Sequence, residues 1–181
     1  MLELEGHIDE IWTEKPAGLV IISAKENIFI AGADLNTLAG LRDGELKTYI
    51  ELGQTVFSHI AALKIPTVAA IHGACVGGGY EICLACDYRI ATRERATKIG
   101  LPEVNLGILP AWGGSTRLPR LIGLPRALDV ILAGKTLAAP QALKRGMIDL
   151  IVPREYLLRE ALRAARKRKP EAPTRSSAAA I

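Results

Sequence analysis

The sequence predicts an α/β fold with parallel strand pairing, and three observations carry that prediction. Short apolar runs, Gly18-Leu19-Val20-Ile21-Ile22-Ser23 and Thr67-Val68-Ala69-Ala70-Ile71, have the length and unbroken hydrophobicity of strands buried on both faces. Segments with helical spacing separate these runs, so strands and helices alternate along the chain. The composition agrees. Of 181 residues, 49% are hydrophobic and 17 are glycine but only 4% are aromatic, so small aliphatic side chains have to fill the core. A chain of this length makes one domain.

Each element has its own local reason. Leu4, Ile8 and Ile11 recur at helical spacing and place a first helix over residues 2–12. The apolar run at 18–23 is the first strand, and a loop from Ala24 to Asp34 leads to a helix from Glu45 to Leu63. Pro66 closes that helix, because a proline ring excludes helical geometry from the residue before it. Thr67–Ile71 is the second strand. A glycine-rich turn follows at His72–Gly79, then a short helix through Cys86 and a third strand over Asp87–Thr92. Gly and Pro punctuate residues 98–114, which read as irregular chain. Helices are expected at 115–122, 124–133 and 138–145, a last strand at Ile148–Val152 and a last helix at Tyr156–Lys167. The core is expected to span residues 1–168, and the Pro/Ser/Ala-rich residues 169–181 to form a disordered tail.

Several function classes are excluded at this level. No apolar run approaches the roughly 20 residues of a membrane span. The acidic start, Met1-Leu2-Glu3-Leu4-Glu5, lacks the basic and apolar regions of a signal peptide, so a cytoplasmic protein is expected. The net charge of +4 sits in the tail: from Arg154 onward there are eight Lys/Arg against three Asp/Glu, which leaves the remainder one unit negative. Arg166-Lys167-Arg168-Lys169 therefore reads as a solvated helix end, with no nucleic-acid partner expected. Cys83 and Cys86 form a C-x-x-C, but a structural zinc needs four ligands and no second pair exists, so no metal is expected and the cysteines read as helix core. Gly134-Lys135-Thr136 resembles the end of a phosphate-binding loop, yet Asp129 stands where the required earlier glycine would be.

Three segments are poor choices for folding alone. Phe29-Ile30-Ala31-Gly32-Ala33-Asp34-Leu35 combines small residues that let a ligand approach the backbone, although a tight turn would need the same residues. In His72-Gly73-Ala74-Cys75-Val76-Gly77-Gly78-Gly79-Tyr80-Glu81 a buried strand enters three consecutive glycines and then a helix. The free N–H groups of a helix start make an anion site, and Glu81 in the first turn is either a chemical group or a partner of the helix dipole. Gly100-Leu101-Pro102-Glu103-Val104-Asn105-Leu106-Gly107 sets Glu103 in apolar surroundings, where burial would raise its pKa toward neutrality; a helix-capping role is the alternative. Taken together, backbone donors for an oxyanion plus two carboxyl groups are what enolate chemistry on a thioester requires.

The blocks F-I-A-G-A-D-L, H-G-A-C-V-G-G-G-Y-E and G-L-P-E-V-N-L-G-I-L-P-A-W-G-G-S-T-R-L-P-R resemble the signatures of the crotonase (enoyl-CoA hydratase/isomerase) superfamily. The wording G-L-P-E-V-N-L-G and R-L-P-R-L-I-G is most similar to the hydratase part of the bacterial multifunctional fatty-acid oxidation α subunit. The resemblance runs from about Gly18 to Val152. It implies a crotonase fold of stacked ββα units with mostly parallel strands. It also implies that Ala33 and Gly78 supply the two oxyanion N–H donors, that Glu81 activates water and that Glu103 exchanges a proton at C2 of the acyl chain. Ala31, Asp34, Leu35, Gly77 and Gly79 would line the substrate path. The implied substrate is an acyl-CoA thioester with no further cofactor, and the implied reaction is hydration of trans-2-enoyl-CoA in fatty-acid β-oxidation, with double-bond isomerisation as a companion. A homotrimer or hexamer is implied, as is a thiolase β subunit as partner if the chain comes from a multifunctional complex.

The sequence departs from that pattern at Ala111, where a glycine is usual, at Asn36, where a lysine is common, and at His72, which reads as a packed turn residue. Family members begin with a β-hairpin region and end with further helices, so the resemblance implies a chain truncated at both ends. A non-catalytic acyl-CoA-binding or assembly fragment is the alternative function.

Overall fold

The computed structural model describes residues 1–32, 40–167, 169 and 170. Consecutive strands alternate between two four-stranded sheets. The first sheet takes β1 (Leu19–Ile22), β3 (Thr67–Ile71), β5 (Tyr88–Thr92) and β8 (Leu150–Val152), in that order and all parallel. The second takes β2 (Ile28–Ile30), β4 (Ala74–Val76), β6 (Lys98–Gly100) and β7 (Thr136–Ala138), parallel except for the last pair. Among the described residues the helices are α1 (Leu2–Glu14), α2 (Asp43–Ala62), α3 (Gly78–Ala85), α4 (Gly114–Ile122), α5 (Leu124–Leu132), α6 (Ala139–Lys144) and α7 (Leu157–Ala165), with 3-10 turns at Glu103–Leu106 and Arg154–Tyr156. These are the stacked ββα units and mostly parallel strands of the expected fold: β3 and β4 lead straight into α3.

β3 shows why its sequence is apolar throughout. Ala69 and Ile71 face the main core, which they share with Tyr80, Ile99 and Leu101. Val68 and Ala70 face the opposite way, against Ala161, Ala164 and Ala165 of α7. A strand covered on both sides has no solvent face to alternate with. The end of α7 comes so close to β1 that a Cβ on Gly18 would collide with the Ala165 carbonyl oxygen. α1 buries Ile8, with Leu4 and Ile11 packed beside it, which is the stripe the spacing predicted.

The loop expected at 24–34, the turn at His72–Gly79 and the irregular chain at 98–114 each contain a three-residue strand of the second sheet. Three residues are too few to display a period, and Lys98-Ile99-Gly100 has no strand composition; pairing with neighbours makes these segments extended. Thr136–Ala138, part of which was expected in a helix, is likewise a strand.

The cysteines are core residues: Cys75, Cys83 and Cys86 are free and buried, and burial pushes the Cys83 and Cys86 thiols up. His72 is also buried and donates from Nε2 to the Lys25 carbonyl at 2.7 Å. At the other end of the chain, Lys169 Nζ lies 2.8 Å from Asp87 Oδ2. Among the described residues no helix is long and apolar enough to cross a membrane.

Candidate active site

The second sheet delivers the site. Val76 and Gly100 are in register at the carboxyl ends of β4 and β6, and Gly77 N–H extends the ladder to the Gly100 carbonyl at 3.0 Å. β2 lies on the other side of β4, with Ile30 paired to Cys75. The three chains that leave these strand ends are Ala31-Gly32, Gly77-Gly78 and Pro102-Glu103. All of them line one cavity of about 730 Å³. Ligand sites in parallel sheets form at this edge, where loops leave neighbouring strands together.

Gly77 adopts φ +59, a backbone that disfavours any side chain, and opens α3. The amides of Tyr80 and Glu81 both close on the Gly77 carbonyl, at 2.8 and 3.0 Å. The amides of Gly78 and Gly79 precede them at the helix start, where N–H groups have no intrahelical acceptor. Gly32 lies alongside: a Cβ placed on it would be 3.9 Å from the Gly78 nitrogen. Of the expected site residues, Ala31, Gly77, Gly78, Glu81 and Glu103 share the cavity. Gly79 does not line it. A Cβ there would collide with the Ile30 carbonyl, so Gly79 lets α3 pack against β2 instead. The expectations for Ala33, Asp34 and Leu35 lie outside the described residues.

The two carboxyl groups are treated differently. Glu81 is 2% exposed, and its Oε1 accepts the backbone N–H groups of Trp112 and Gly114, both at 2.8 Å. Burial raises its pKa, while those two bonds and the Arg117 guanidinium oppose the shift. Arg117 in turn donates to the Trp112 carbonyl at 2.9 Å, so it fixes the loop that holds Glu81. Glu103 is 8% exposed, and neither of its carboxyl oxygens has a hydrogen-bond partner among the described residues. Burial, reinforced by the charge on Glu81, pushes it up to about 7. Its turn is anchored by Asn105 Nδ2 donating to the Gly134 carbonyl at 3.3 Å and is closed by Gly107 at φ +74. One group is thus held in a fixed orientation, and the other is a neutral-range acid facing an apolar cavity.

Sequence reasoning missed the rest of the wall. Leu46, Tyr49 and Ile50 of α2 line the cavity, as do Leu106, Ile108, Leu109 and Trp112. The i, i+3, i+4 spacing of Leu46, Tyr49 and Ile50 was the available signal for α2. Nothing in the sequence indicated that Trp112 would contact it. Among the described residues no group of three His, Cys, Asp or Glu is placed to hold a metal ion.

Solved structures share this fold. An enoyl-CoA hydratase from Bacillus anthracis superposes with a TM-score of 0.84 at 36% identity, covering 90% of this chain and 63% of that one. Human mitochondrial Δ3-Δ2-enoyl-CoA isomerase gives 0.85 at 30% identity, covering 90% and 64%. An enoyl-CoA hydratase from Thermoplasma volcanium gives 0.82 at 30% identity, covering 92% and 67%. The chain therefore spans about two thirds of the length of these proteins. The sequence profile described as enoyl-CoA hydratase/isomerase matches residues 1–180. With that match over nearly all of its length and a crotonase fold around two buried glutamates, this chain belongs to the enoyl-CoA hydratase/isomerase family.

Proposed function

We propose that the site adds water to the double bond of a trans-2-enoyl-CoA, giving a 3-hydroxyacyl-CoA, in fatty-acid β-oxidation. One observation carries the reading: two buried carboxyl groups, one clamped and one unpartnered among the described residues with its pKa near 7, share a cavity with the amides of a helix start. The Gly78 N–H, with that of Ala33 as its proposed partner, donates to the thioester carbonyl oxygen and draws electron density away from C3. Water held by Glu81 attacks C3 and gives its proton to the Glu81 carboxylate. The enolate that forms is stabilised by the same donors, each worth about 3–4 kcal/mol of barrier. Protonated Glu103 then delivers a proton to C2. Transfer of a proton from Glu81 to Glu103 restores both groups for the next turnover.

The same carboxyl would serve Δ3-Δ2 double-bond isomerisation, since moving a proton between C2 and C4 needs one neutral-range acid above an enolate. Assembly as a homotrimer or hexamer, and pairing with a thiolase β subunit, belong to the same proposal. The test is the loss of enoyl-thioester absorbance when crotonyl-CoA is added, in H2O and in D2O. Turnover with one deuteron incorporated at C2, lost in Glu103→Gln, is the expected result. Binding of crotonyl-CoA without turnover would instead identify a non-catalytic acyl-CoA-binding fragment.

A further inference from the structure

Among the wall side chains that the chemistry above does not use, Trp112 is held by packing on several sides. The indole of Trp112 is 8% exposed and lies between α2 and α3. Two glycines make room for it. A Cβ on Gly53 would collide with its Nε1, and a Cβ on Gly78 would collide with its Cζ3. Gly53 is inside a 20-residue helix, where glycine costs about 1 kcal/mol relative to alanine, so the close approach of the ring is what that position serves. Tyr49 and Phe57 close on the ring edge-to-face, with centroids 5.4 and 5.6 Å away. The indole N–H has no hydrogen-bond partner among the described residues, so packing fixes the ring.

This rigid ring stands beside Gly78, and its own backbone N–H holds Glu81. It therefore borders the place where the reacting carbons would sit. Leu106, Ile108 and Leu109 line the same cavity and are exposed to solvent, so they mark its apolar mouth.

We infer that Trp112 is a specificity-determining residue, which closes the space between α2 and α3 to the acyl chain and confines that chain to the apolar mouth. The inference rests on the acyl-thioester reading of the site. Removing the ring would uncover a pocket beneath the thioester, lined by Tyr49, Phe57 and the backbone of Gly53, into which further methylenes could pack.

The experiment compares wild type with Trp112→Phe and Trp112→Ala. Butanoyl-CoA and decanoyl-CoA are titrated by calorimetry, and hydration of the corresponding trans-2-enoyl-CoAs is followed in parallel. The ratio of decanoyl to butanoyl affinity is expected to rise roughly tenfold in Trp112→Ala, as for burial of about two further methylenes. A smaller rise in the same direction is expected in Trp112→Phe. An unchanged ratio in the folded variants overturns the inference. If Trp112→Ala does not fold, Trp112→Phe decides by the same criterion. Wild type that binds both thioesters without hydrating the corresponding trans-2-enoyl-CoAs would defeat the hydratase reading and leave the affinity ratio to judge Trp112. Wild type that binds neither defeats both.

Discussion

Glu81 and Glu103 line the same cavity, and their surroundings show how two identical side chains acquire different properties. Glu81 sits in the first turn of α3 and accepts two backbone N–H bonds from the Trp112–Gly114 loop. Glu103 sits on a single 3-10 turn, with neither oxygen partnered among the described residues. Bonds to a carboxylate favour its ionised form, and burial without bonds favours the neutral form. The contrast teaches that the loop at 110–114, which carries no titratable group, separates the two acids.

The largest test of this contrast is Glu103→Gln. On the proposed hydration chemistry, losing this acid is expected to lower the rate roughly a hundred- to ten-thousandfold. Far-UV circular dichroism should be unchanged, because an amide fits the same apolar place. Glu81→Gln retains an oxygen for both backbone donors, so it too should fold while losing the water activation proposed for Glu81. Equal activity of either variant with wild type, measured on crotonyl-CoA, would break the comparison.

A second test reads stability. The folded-state pKa of Glu103 is raised from the ordinary 4.5 to about 7. The folded protein therefore binds the extra proton more tightly, and this group's contribution is fully present below about pH 4.5. It is lost as pH rises through about 7. Relative to wild type, Glu103→Gln should gain stability across that window, by up to about 2–3 kcal/mol, and the gain should level off above it. Paired urea titrations from pH 4 to 8 check this. A flat difference would show that the carboxyl is not desolvated.

Gly114→Ala perturbs the clamp alone. Its Cβ would lie 2.9 Å from Pro110 Cβ and 3.0 Å from Glu81 Oε1, so the loop must shift off the carboxylate. A loss of about 1–2 kcal/mol in thermal or urea unfolding is expected, with the Glu81 pKa moving further up. The smallest effect is expected from Arg117→Met. Removing that cation takes away one of the influences that lower the Glu81 pKa, so the acid limb of the rate profile should move to higher pH. Arg117→Lys should restore part of that shift, whereas an unmoved limb in Arg117→Met would show that Arg117 has no part in tuning Glu81.

The two sheets were not equally legible. Every strand of the first sheet was readable, because short, largely apolar runs set between helical segments are what strands covered on both faces require. None of the second sheet's strands was anticipated as a strand, and its carboxyl edge is where the site forms. The glycines and glutamates of the site could still be found, since Gly77-Gly78-Gly79 and an acid after Pro102 are poor choices for mere connections. Gly79 was assigned with its neighbours because three glycines in a row look alike. Only packing separates the one that turns the chain, the one that leaves room for the Trp112 ring and the one that fits under Ile30.

By itself the sequence determined the α/β alternation, the buried first sheet and the family resemblance, and it singled out both candidate acids, because each depends on local composition or on short-range order. The tertiary structure alone decided that β2, β4 and β6 end side by side and that Trp112 and Gly114 lend their amides to Glu81. It also decided that an indole fills the space left by two distant glycines. These are contacts between residues far apart in the chain. Their energy depends on distance and burial in the folded molecule, quantities that no stretch of sequence holds on its own.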